Sequence, residues 1–168
     1  KSLLVYCTWS AAARSGRLSI FVPAVHRPVV VLDTNVCLDW LIFDDPRTAR
    51  LALAVQSSRV DWIASPSMRA EFSRVLSYKA IRHRVSSVAE VLDRYDSWSR
   101  TTSEPGLTAS HGLVCEDPDD QTFIDLALEH RATWLFSRDQ MVCRLAPQAA
   151  LLGVVIVTPD SFAFGGEA

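Results

Sequence analysis

Four acidic residues from four distant stretches carry the first chemical signal: Asp33, Glu71, Asp120 and Asp139. Asp33 follows Val29-Val30-Val31-Leu32, and Asp139 follows Trp134-Leu135-Phe136 after Ser137 and Arg138. Both runs read as buried strands, which places the two acids at strand carboxyl ends. Asp120 opens a helix that precedes the second of these strands, and Glu71 lies one to two turns inside a helix opened by Ser65-Pro66. Both helices are expected to begin at the same sheet edge. Carboxylates gathered in a partly buried cleft repel one another and cannot all stay ionised without opposite charge. A divalent cation supplies that charge, and oxygen-only ligands favour Mg²⁺ or Mn²⁺ over zinc. An ion held this way suits phosphodiester cleavage, because it acidifies bound water and neutralises charge developing on phosphate.

Other chemistries find less support. There is no GxSxG, and no cysteine has a histidine at a recognisable spacing. The histidines at 26, 83, 111 and 130 show no HxH or HExxH pattern, which argues against zinc. An Asp-nucleophile phosphatase would also place an acid after the first strand, but it needs a second Asp two residues on, where this chain has Asn35.

Each acid also has a plain structural reading. Asp33-Thr34-Asn35 could cap the next helix, Asp117 could cap one that starts at Pro118, and Asp139 could cap the helix after its strand. Glu71 could be a solvated charge beside Arg69 and Arg74. Arg69, Arg74, Lys79, Arg82, His83 and Arg84 form a basic stretch, either a solvated face or a rail for RNA phosphates. Trp62 and Trp134 sit in strand-like runs and read as core, leaving Trp98, beside a polar loop, as the tryptophan to consider for base stacking.

The elements that must position these groups alternate. Strands are expected at 29–32, 60–64, 132–136 and 154–157; helices at 37–42, 48–57, from Ser65-Pro66 through Leu76, at 85–99 and at 120–130; a loop at 101–112. This order implies a three-layer α/β/α sandwich with a central, mainly parallel sheet and right-handed crossovers. In such sheets ligands bind at the strand carboxyl ends, near the point where strand order reverses.

The chain's 168 residues, 49% hydrophobic and 21% charged, suit one domain. Residues 1–28 carry Lys1, Arg14, Arg17 and Arg27 but none of the 19 acids, so they read as a basic N-terminal extension to a domain at 29–164. The stretch from Leu3 to Trp9 is too short for a convincing secretory signal. The longest apolar run, Ala149 to Val157, is too short for a membrane span, and the four scattered cysteines suggest a reducing, cytoplasmic setting.

In this arrangement the sequence resembles the PIN-domain family of metal-dependent ribonucleases, especially its toxins from bacterial toxin–antitoxin systems. The resemblance rests on VVVLDTNV at 29–36, PSMRAEFSRVLSYKAIR at 66–82, CEDPDDQTFIDLALEHRATWLFSRD at 115–139 and VVIVTPDSF at 154–162. It implies that Asp33, Glu71, Asp120 and Asp139 match the family's catalytic, metal-binding quartet. Asp120 is preferred to Asp119 because it stands three residues before Phe123 and seven before Ala127, in the motif's helical phase. Asn35 and Ser137 would support the quartet, with Asp117 and Asp119 further out, and Arg74, Lys79, Arg82 and Arg84 as RNA-binding candidates. The implied activity is Mg²⁺- or Mn²⁺-dependent endoribonuclease cleavage of single-stranded RNA, with a cognate antitoxin as partner and homodimerisation a family habit. The alternative is a catalytically silent PIN fold that binds RNA or protein.

Overall fold

The computed structural model describes residues 26–106 and 112–162. Most of the expected extension at 1–28, His111, and the last two residues of the expected domain at 29–164 lie outside them. Five strands, β1 (Val29–Leu32), β2 (Asp61–Ala64), β3 (Ser99–Thr101), β4 (Trp134–Phe136) and β5 (Val155–Val157), form one sheet in the order β3-β2-β1-β4-β5. Every pairing is parallel. Val30, Val31 and Leu32 are fully buried because β1 is central and covered on both faces, as its unbroken apolar run requires.

Helices α1 (Thr34–Leu41), α2 (Ala49–Gln56), α3 (Pro66–Leu76), α4 (Lys79–Arg82) and α5 (Val88–Trp98) lie between β1 and β3 in sequence. Helices α6 (Gln121–Glu129), α7 (Gln140–Arg144) and α8 (Ala146–Leu151) lie between β3 and β5. Right-handed crossovers put the first group on one face and the second on the other, because the strand order runs outward from β1 in opposite directions. α1, α3 and α5 pack together, and α6 packs on β1 and β4, which completes three layers.

Helix α3 illustrates how local sequence builds these parts. The Ser65 hydroxyl accepts from the Met68 amide at 3.4 Å, and Pro66 occupies the first turn, where a missing N–H costs nothing. Met68, Phe72 and Leu76, spaced four apart, then point one stripe into the core. Arg69 pairs with Asp96 on α5 at 2.6 Å rather than with Glu71, and Glu104 accepts from the Ser67 amide and hydroxyl at 2.7 and 2.6 Å. These contacts fix α3 against its layer.

The structure corrects several expectations. Trp98 does not stand alone beside the loop: one face of its ring stacks on Trp40 at 4.9 Å, and Trp40 in turn meets Trp62. Trp62 then packs edge-on against Tyr95, which stacks on Phe72, so these aromatic rings form one continuous cluster. β3 occupies the end of the expected helix and the start of the expected loop. It is a short, polar edge strand with no alternation to betray it. The expected run Ala149 to Val157 is divided by Gly153 at φ +87°, where the chain leaves α8 for β5. No helix among the described residues is long and apolar enough to cross a membrane.

Replacing Phe72, which is 1% exposed, by Ala should cost about 3–5 kcal/mol through lost burial and the resulting cavity. Leu151→Ala, at an 87% exposed position, should stay within roughly 0.5 kcal/mol of wild type. Urea unfolding midpoints measure both.

Candidate active site

Strand order reverses between β1 and β4, and the crevice beyond their carboxyl ends is where an open parallel sheet presents its ligand site. Asp33 follows β1 at once, 1% exposed. Its Oδ1 accepts from the Asn35 amide at 2.9 Å and so caps α1; its Oδ2 accepts from the Ser137 hydroxyl at 2.6 Å. The capping reading and the site reading therefore hold for the same side chain. Ser137, fully buried after β4, also accepts from the Asp139 amide at 3.0 Å. This hydroxyl ties the ends of the two central strands together.

Asp139 repeats the pattern. One oxygen caps α7 by accepting from the Met141 amide at 2.6 Å, and the carboxylate stands near enough to Asp33 to raise its pKa. Asp120 caps nothing with its side chain and is half-buried at the end of a 3₁₀ turn, Pro118–Asp120. Asp117 caps that turn by accepting from the Asp119 amide at 2.9 Å, as its structural reading expected. Glu71, half-buried on α3, accepts from the Thr34 hydroxyl at 3.2 Å. Thr34 drew no separate notice in the sequence because it sat inside a turn already explained by its neighbours.

The electrostatics tie these groups into one cluster. Asp120 is pushed up to about 7, first by burial, then by the charges of Asp33, Asp139, Asp117 and Glu71. Burial likewise raises Asp33 against the hydrogen bonds from Ser137 and Asn35. Glu71 is raised by burial and by Asp33, while Thr34 and Arg74 oppose the shift. Among the described residues no Lys or Arg forms an ion pair with any of the four acids. Arg74 acts on Glu71 only through its field, and Lys79, Arg82 and Arg84 are exposed along α4 and the turn after it. Asn35 contributes its backbone N–H to Asp33, while the residue itself is exposed.

This donor set fits a hard cation in its chemistry: it is all oxygen, self-repelling and partly desolvated. As the side chains stand, no three His, Cys, Asp or Glu groups among the described residues converge as ligands of one ion. That spacing still suits Mg²⁺, which keeps several waters and takes only one or two carboxylates directly.

The sequence matches the PIN-domain family over residues 29–141. No curated protein matches it significantly. Among solved structures, the fold is similar to that of VapBC2 from Rickettsia felis, crystallised bound to a DNA fragment from its promoter. The TM-score is 0.53 at 15% identity, covering 77% of this chain and 98% of that one.

Two measurements follow from the geometry. Ser137→Ala should cost about 1–3 kcal/mol, because Asp33 Oδ2 is left buried without its donor; chemical unfolding reads this directly. Asp120, raised from 3.8 to about 7, binds a proton in the folded chain where the unfolded chain has lost it. With chelator present, stability should therefore fall as pH rises through that window. Asp120→Asn should flatten the slope and raise the melting temperature at pH 8 by a few degrees, given that about 1 kcal/mol moves Tm by roughly 2–4 °C at this size. An unchanged slope would contradict the assignment of the repulsion to Asp120.

The fold, the switch-point cleft and the match over most of the domain agree: the chain belongs to the PIN-domain family.

Proposed function

We propose that this chain is a Mg²⁺- or Mn²⁺-dependent endoribonuclease that hydrolyses phosphodiester bonds of single-stranded RNA. The observation that supports this reading is the cluster of Asp33, Glu71, Asp120 and Asp139 at the sheet's switch point, with Asp120 pushed up to about 7 and no cation paired to any of them among the described residues. A group of acids that destabilises the fold unless neutralised has a reason to exist if it holds a cation. PIN-domain family membership supports nuclease chemistry in general.

In this reading Asp33, Asp120 and Asp139 hold the ion, directly or through its bound waters, and Glu71 either joins them or orients the attacking water. A bound divalent ion would acidify that water and offset charge on the phosphate. Ser137 and the Asn35 amide fix Asp33, and Thr34 holds Glu71, so these two carboxylates are pre-oriented. The exposed Arg74, Lys79, Arg82 and Arg84 would attract the RNA backbone, a contribution that weakens with salt.

We further propose that the chain is the toxin of a toxin–antitoxin pair, held in check by a separate antitoxin protein. The fold shared with the VapBC2 complex supports this. Cys37, Cys115 and Cys143 are all free, which suits a cytoplasmic setting.

The deciding experiment incubates a mixed pool of structured and unstructured RNAs with Mn²⁺ and wild type, Asp33→Asn or Asp120→Asn, all purified identically. Wild-type cleavage should vanish with chelator and fall at least roughly 100-fold in each variant, the scale of losing a group that stabilises transition-state charge. Equal cleavage by all three would overturn the site. A wild type that binds RNA without cutting it would favour the silent binding module.

A further inference from the structure

Beside the acidic cluster lies a second feature that metal-dependent hydrolysis does not use. A cleft of about 240 Å³ is lined by Asn35, Leu38, Asp39, Phe43, Arg138 and Asp139. It shares Asp139 with the cluster and includes Asn35, whose amide caps Asp33, so the cleft adjoins the acidic cluster.

Two of its walls are built in ways that packing alone does not explain. Phe43 is 45% exposed, yet its backbone is pinned: its amide donates to the Leu38 carbonyl at 3.1 Å, and the Asp45 amide beyond it donates to the Asp39 carbonyl at 2.9 Å. Between them Asp44 takes φ +48°, a left-handed turn residue. The result is an aromatic ring displayed on a rigid support at the rim of a polar cleft.

Arg138 is the other wall. It stands next to Asp139 in sequence, but its ion pairs among the described residues are with Asp39 and, at 3.6 Å, with Asp45. Asp45 is itself clamped by Arg47 at 2.5 Å. These contacts hold the guanidinium through Nη1, so its Nε and Nη2 donors make no hydrogen bond to the described residues. A guanidinium pre-oriented on one side and free on the other is suited to a phosphate.

We propose that this cleft is the subsite for a single-stranded RNA nucleotide flanking the bond to be cut, with the Phe43 ring stacking on its base and Arg138 holding its phosphate. The proposal rests on the nuclease reading and deepens it. A π-face accepts any base, so the subsite selects for unpaired nucleotides rather than for a sequence. It would exclude duplex RNA, whose bases are stacked on one another.

The test uses the full chain carrying Asp120→Asn, so that RNA is bound but not cut, and follows a labelled single-stranded oligoribonucleotide by fluorescence anisotropy. Adding Phe43→Ala or Phe43→Leu should weaken binding roughly 10- to 100-fold, while Phe43→Trp retains it, because stacking needs a ring and not merely apolar bulk. Arg138→Gln should weaken binding and lower the slope of log affinity against log salt by about one phosphate contact. In the chain with Asp120 intact, the same changes should raise KM more than they lower kcat, and a matched duplex should respond to none of them. Binding by Phe43→Leu equal to that of the parent, in a chain that folds and binds RNA, overturns the subsite and leaves the nuclease reading standing. If the parent binds no RNA and the wild type cuts none, the nuclease reading fails and the subsite fails with it.

Discussion

The near-complete burial of one carboxylate, Asp33, governs how the rest of the site is built. A buried acid at a strand end is costly unless each of its oxygens is hydrogen-bonded. Here one oxygen is met by the chain immediately following it, through the Asn35 amide, and the other by Ser137, more than a hundred residues away. The first contact starts α1; the second holds the end of β4 beside the end of β1. Both strands must therefore end at the same level, and Asp139, two residues beyond Ser137, is brought to the crevice as a consequence.

The same economy recurs around the cluster. Asp33 and Asp139 each spend one oxygen on a helix N-terminus, and Asp117 does so for the turn leading to Asp120. Helix N-termini attract negative charge, so the start of α1 favours the ionised Asp33 that burial and the neighbouring acids disfavour. The balance differs from residue to residue. Asp120, with no capping bond and the field of four other acids, is the one pushed up to about 7.

Much of this was legible in the chain. The β-branched run at 29–32 and its terminal acid located the central strand, because a strand buried on both faces leaves no alternation and must stop at a polar group. Ser65-Pro66 located α3, and the alternation of strands and helices pointed to a parallel sheet with its site at the strand carboxyl ends, while the strand order that sets the switch point between β1 and β4 came only from the structure. What escaped had physical reasons. β3 is three polar residues whose strand character comes only from pairing with β2. α7 and α8 are too short to show a period. Trp98 looked available because its local neighbours are polar, whereas its partner, Trp40, comes from a different helix. The pairing of Arg138 with Asp39 rather than with its neighbour Asp139 likewise depends on where α1 sits, which no local pattern records.

The strand order carries a consequence for how the chain folds. β1, β2 and β3 follow one another in sequence and can assemble progressively, whereas β4 must return across more than a hundred residues to pair with β1. That closure is the least local step in assembling the sheet, since it spans most of the domain. It is also the event that brings Asp120 and Asp139 against Asp33. The first three strands thus come with only Asp33 and Glu71 of the four acids, and the repulsion that acts on Asp120 arises only when the seam between β1 and β4 is closed.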